Sequence, residues 1–221
     1  MNYGVRLLSI VGCLLWYSGC RDIQTFESDV PIVGYQLNGK VTTPNGTSVE
    51  SVSVVLFYRY EYLQPNPLDT ITVYIYDSLK NVYVGVYNID GRYVRRLFLD
   101  FLSIGPLPRF HWDERDDGGK TVSSGKYFIR YEYNDTVRKI VPYLADGNTS
   151  AITDRKGEFV LTNRFFPIGE AFDFYRCNGT FDGVFRVRAM VVLNFKKGSL
   201  SSTYEIRMQK DKITRGIFTL P

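Results

Sequence analysis

Residues 49–62 read Val49-Glu50-Ser51-Val52-Ser53-Val54-Val55-Leu56-Phe57-Tyr58-Arg59-Tyr60-Glu61-Tyr62. β-Branched and aromatic side chains dominate the run and its second half alternates in character, which fits a pleated, half-buried strand and not a helix. A period of two places Tyr58, Tyr60 and Tyr62 on one face and Phe57, Arg59 and Glu61 on the other. An exposed tyrosine ladder binds sugars or protein partners. A buried contact between domains explains the same pattern equally well, and on sequence both accounts stand.

The strand pattern extends in both directions. Residues 37–41 form a second run, and Pro44-Asn45-Gly46 supplies a turn, so a hairpin with residues 49–62 is expected. Gln64-Pro65-Asn66-Pro67 stops the strand, because closely spaced prolines do not continue a central ladder. Further strands are predicted over residues 70–76, 82–88, 93–99, 109–112 and 125–133, with turns at Asp77-Ser78, Asp90-Gly91 and Asp116-Asp117-Gly118-Gly119. Residues 140–148 read as an irregular crossing. Strands resume over 150–153, 158–162, 171–176, 184–195, 202–209 and 216–220. No helical period is sustained after residue 20. The expectation is an all-β chain of two β-sandwich domains.

Composition supports packed cores. The chain has 221 residues, 44% of them hydrophobic and 15% aromatic, which excludes wholesale disorder. A formal net charge of +4 leaves no electrostatic footprint for nucleic acid. His111 is the only histidine, and it precedes Trp112. No Ser/His/Asp set, phosphate-cradling glycine loop, catalytic carboxylate pair or His/Cys ligand cluster assembles from these residues. The chain therefore reads as non-enzymatic, without a metal or other cofactor.

The first twenty residues have the layout of an export signal: Arg6, then an apolar run over residues 7–17, then Ser18-Gly19-Cys20. The run is too short to span a bilayer as a stable helix. Its end resembles the bacterial lipobox. That resemblance implies removal of residues 1–19, acylation of Cys20 (palmitate among the chains), and a lipid-anchored protein of the bacterial cell envelope. Arg21 and not Asp follows Cys20, which favours the outer membrane. Residues 20–33 read as a tether. With Cys13 removed and Cys20 acylated, Cys177 is left without a disulfide partner, and it lacks a base that would make it a nucleophile.

Tyr87-Asn88-Ile89-Asp90-Gly91-Arg92-Tyr93-Val94, then Trp112-Asp113, then Asp116-Asp117-Gly118-Gly119-Lys120-Thr121-Val122-Ser123-Ser124-Gly125-Lys126-Tyr127 resembles the FlgD-type immunoglobulin-like domain. The same module occurs in flagellar hook-capping proteins and in the sorting domains of type IX secretion cargo, and Gln64-Pro65-Asn66-Pro67 resembles the opening of the latter. Gly91 fits a turn that needs positive φ. Trp112 is the expected core plug, with Tyr127 beside it and its hydroxyl at the rim. Asp113, Asp116 and Asp117 fit either calcium ligation or the capping of their own turn, and capping is favoured.

The flanks resemble a carboxypeptidase regulatory-like domain in two separated halves. Gly39-Lys40-Val41, Gly46-Thr47-Ser48-Val49 and Val52-Ser53-Val54 carry the first half. Thr153-Asp154-Arg155-Lys156-Gly157-Glu158-Phe159 carries the second. This resemblance implies a discontinuous transthyretin-like sandwich of residues 34–63 and 148–221, with residues 64–147 inserted as the FlgD-type domain. Insertion is tolerated where the two chain ends leave close together, as Tyr62 and Ile152 would on neighbouring strands. Such regulatory-like domains accompany zinc peptidases, but a His-x-x-Glu with a second histidine does not exist here. The expected function is a structural or interaction module with a protein or glycan partner. The alternative is a secreted cargo protein sorted through its FlgD-like segment.

Overall fold

The computed structural model describes residues 33–68, 74–75, 79–102, 105–106, 110–133, 136–176 and 180–221. The leader, Cys20, most of the tether and Cys177 lie outside these residues. Among the described residues no helix is long and apolar enough to cross a membrane.

Among the described residues the structure is all β apart from one 3-10 turn at Asn163–Phe165. Fourteen strands follow in chain order: β1 (Tyr35–Thr42), β2 (Ser53–Gln64), β3 (Tyr74–Ile75), β4 (Leu79–Asn88), β5 (Tyr93–Leu102), β6 (Gly105–Pro106) and β7 (Gly125–Tyr133), then β8 (Thr136–Ala145), β9 (Asn148–Ile152), β10 (Glu158–Leu161), β11 (Ala171–Tyr175), β12 (Phe181–Lys197), β13 (Leu200–Arg207) and β14 (Lys212–Thr219).

One layer is the three-stranded sheet β10-β1-β14, in which β1 runs antiparallel to β10 and parallel to β14. The facing layer is built on the order β11-β12-β2-β9, with β13 also paired to β12. Alternate residues of both layers enter one core, where Leu37, Val41, Val54, Leu56, Leu161, Leu193, Phe195 and Phe218 are fully buried. The strands of residues 79–145 instead form a four-stranded sheet, β5-β4-β7-β8, and β3 pairs with β6. A second core lies under the four-stranded sheet, with Val82, Val84, Val86, Trp112 and Ile129 at its centre.

Three local expectations need correction. β1 and β2 are not a hairpin: they lie in opposite layers, and the isolated bridge from Thr42 to Ser48 falls before β2 begins. The turn after Thr43 closes tightly, and the chain then crosses the core so that both apolar faces are buried against each other. Residues 140–145 are not irregular, since they belong to β8. Pro142 obscured the strand, yet β8 is a sheet edge, where a missing N–H costs no ladder bond. Residues 110–112 form no strand. The Trp112 indole enters the core from a turn, its Nε1 donating to the Arg115 carbonyl at 2.8 Å.

The return point also differs. Ile152 pairs with Ser53, and Asn148 pairs with Leu56, whereas Tyr62 pairs with Phe185. The chain therefore re-enters the sheet midway along β2 and not at its end.

A polar seam joins the two cores. Ser124, 1% exposed, donates its hydroxyl to the Leu56 carbonyl at 2.7 Å and accepts the Asn148 N–H at 2.9 Å. Glu114 accepts from Asn148 Nδ2 at 2.6 Å and from the Tyr143 hydroxyl at 3.2 Å. Lys126 pairs with Glu170.

Candidate functional site

The tyrosines of β2 divide. Tyr58 is 4% exposed and donates to the Phe165 carbonyl at 2.8 Å. Tyr60 donates to Asp146 Oδ2, and its ring meets Phe174 edge-on at 5.0 Å. Tyr62 is 54% exposed and packs against Phe185. Asp146 and Phe165 thus occupy the hydroxyls of Tyr58 and Tyr60, and the inter-sheet seam, not an external ligand, accounts for that part of the face.

The motif residues sit at turns and cores. Gly91 has φ of 76° and donates to the Asn88 carbonyl at 3.0 Å. Trp112 and Tyr127 meet edge-on at 5.0 Å, and the Tyr127 hydroxyl donates to the Ser123 carbonyl at 3.0 Å. Gly125, with φ of 149°, begins β7. Asp154 Oδ1 accepts the N–H groups of Lys156 and Glu158, both at 2.8 Å, and so shapes the turn that delivers Phe159 to the core. Gly157 packs against backbone, where an added Cβ would lie 2.5 Å from the Val41 carbonyl oxygen.

Each aspartate of the 113–117 turn has internal donors. Asp113 Oδ1 accepts from Arg95 Nη1 at 2.7 Å and from the Arg115 N–H at 3.2 Å. Asp116 Oδ1 accepts the Lys120 N–H at 2.9 Å. Asp117 receives the Tyr93 hydroxyl on Oδ2 at 2.6 Å and the Arg96 N–H on Oδ1 at 3.2 Å. Among the described residues no group of three or more His, Cys, Asp or Glu side chains is placed to hold a metal ion.

Asp117 leads to a surface that the sequence reading passed over. In β4, Val82, Val84 and Val86 point into the second core, so Tyr83, Gly85 and Tyr87 point outward. Register with the neighbours completes the outer face: Tyr87 lies between Tyr93 and Phe128, and Gly85 lies between Arg96 and Arg130. Tyr83 lies over Gly85, where an added Cβ would come within 2.6 Å of its ring. Only glycine leaves room for an aromatic ring to lie flat on the sheet at this point. Tyr87 and Tyr93 meet edge-on at 5.9 Å, and the Arg130 guanidinium stacks 4.1 Å from the Tyr87 ring centre.

The hydroxyls run as a chain from Tyr87 through Tyr83 to Tyr93, each acting on the next one's ionisation, and the Tyr93 hydroxyl donates to Asp117 Oδ2. Burial, then the bond to Tyr83, pushes Tyr87 up to about 12. Burial raises Tyr83 and Tyr93 as well. The Tyr93 hydroxyl and the Arg96 N–H hold Asp117 below its ordinary value. At neutral pH these phenols are protonated and the row ends on a carboxylate. Around it Tyr93 is 47% exposed, Leu99 51% and Ile140 51%. The sequence signal was the alternation Val82-Tyr83-Val84-Gly85-Val86-Tyr87, with a glycine where the third outward ring would stand.

Neither a family model nor a curated protein nor a solved structure matches the chain.

Proposed function

We propose that this chain is a non-catalytic, lipid-anchored module of the bacterial cell envelope that presents a binding surface on its four-stranded sheet. The tyrosine platform carries the reading. The Tyr83 ring lies over Gly85, the Tyr93 hydroxyl is held by Asp117 and the Tyr87 ring is covered by Arg130, so little side-chain entropy remains to be lost on contact with a partner. The lipobox-like residues before Cys20 support the anchor, and in this reading residues 20–33 tether β1 to the membrane. In this reading residues 64–147 form an immunoglobulin-like domain inserted into a transthyretin-like sandwich. The separate ladders of β4, β5, β7 and β8 support the insertion, as does the pairing of Leu37 with Leu161 across the intervening chain.

The test combines mass spectrometry with crosslinking. The membrane-extracted protein is expected to yield an N-terminal peptide beginning at acylated Cys20, lost in Cys20→Ala. A photoreactive group at Tyr93 is expected to capture a partner that the same group at Ile217, on the far sheet, does not. An unacylated Cys20, or equal capture at both positions, sinks the proposal.

A further inference from the structure

The platform's chemistry narrows the partner. We infer that it binds an acidic glycan, a chain of sugar rings bearing carboxylates, and this rests on the platform being the protein's binding surface. The C–H face of a pyranose is apolar and weakly positive, which suits the negative face of a ring held over the sheet, as Tyr83 is over Gly85. Tyr93, at 47% exposure, offers a second ring on the neighbouring strand, paired with Tyr87 on the same face and edge-on to it at 5.9 Å.

Charge selects the acidic class. Arg96 and Arg130 flank Gly85 in register; of the carboxylates near this face, Glu132 pairs with Tyr83 and Asp117 already accepts the Tyr93 hydroxyl and the Arg96 N–H. Arg130 makes no ion pair among the described residues; its Nε is buried without an acceptor, so an incoming carboxylate would meet the Nη groups. Stacking on Tyr87 fixes its orientation and strips water from one face of the guanidinium. A cation held this way gains most from an incoming carboxylate, because its desolvation is already partly complete.

The experiment uses the full chain in detergent micelles, titrated with oligogalacturonate and, as the neutral control, cello-oligosaccharide. Oligogalacturonate is expected to bind and the neutral chain to bind at least tenfold more weakly, with the difference shrinking as salt rises. Tyr93→Ala and Arg130→Gln are each expected to lose about tenfold or more in affinity for oligogalacturonate. Gly85→Ala displaces the Tyr83 ring without touching the ligand and is expected to do the same. Tyr93→Ala is exposed and keeps the test valid should Gly85→Ala fold poorly. Equal affinity for both glycans, no binding of oligogalacturonate, or unchanged affinity in Tyr93→Ala and Arg130→Gln overturns the inference. Capture of a protein and no glycan at Tyr93 also overturns it, while leaving the binding surface itself intact.

Discussion

The Ser124 hydroxyl donates a 2.7 Å hydrogen bond to the carbonyl of Leu56, 68 residues earlier in the chain. Ser124 stands at the start of β7, over the second core, and Leu56 lies at the centre of the first. The same oxygen accepts the N–H of Asn148, the first residue of β9. One buried hydroxyl therefore fixes the point at which the chain rejoins β2.

Ser124→Ala is expected to lower stability by about 1–3 kcal/mol, because the half-buried Asn148 N–H loses its acceptor. The Leu56 carbonyl keeps its bond from the Gly147 N–H, so the loss falls mainly on the donor. Urea unfolding of the variant checks this, and an unchanged midpoint would refute it.

Acid should stabilise the seam. Burial, as the leading cause, raises both Asp146 and Glu114 above their ordinary values of 3.8 and 4.5. The folded state then binds protons more readily than the unfolded chain. This contribution is fully present below the unfolded values and is lost as pH rises through the raised folded ones. The melting temperature is expected to fall with pH across that window, and Asp146→Asn should flatten the dependence. Asp117, held below its ordinary value, acts in the opposite sense, so Asp117→Asn should not flatten that fall.

Two turn glycines separate backbone strain from collision. Gly46 and Gly157 have φ of 84° and 73°, but only Gly157 meets neighbouring backbone. Gly46→Ala should cost about 1–2 kcal/mol, the left-handed penalty alone. Gly157→Ala should cost clearly more, since the Val41 carbonyl and the Val49 N–H cannot swing away as a side chain can. Thermal melts of the two variants give the comparison, and equal losses would refute it.

The hydroxyl chain has its own signature. In an ultraviolet pH titration Tyr87 is expected to ionise late, near 12. Gly85→Ala, by moving the Tyr83 ring, should return Tyr87 toward the ordinary tyrosine value. A titration identical in the two proteins would show that the chain does not exist in solution.

Most strands were legible because each face is spaced by the same period of two. Residues 125–133 and 171–176 fall on β7 and β11 to within a residue. Failures came where a local rule met a tertiary exception: Pro142 tolerated on an edge, and Trp112 filling a core from a turn. The hairpin failed because a turn motif states that the chain reverses, not which sheet receives it. For the site, alternation put Tyr58, Tyr60 and Tyr62 together correctly, but it carries no information on what lies above a face.

The sequence by itself determined the all-β class and the turns that require glycine, because side-chain period and backbone φ are local properties. Tertiary structure alone decided that Tyr58 and Tyr60 face Phe165 and Asp146, while Tyr83 and Tyr87 stay half-buried and Tyr93 stands exposed beside Asp117. Burial depends on which distant strands pack above a face, and residues far apart in the chain make that choice together.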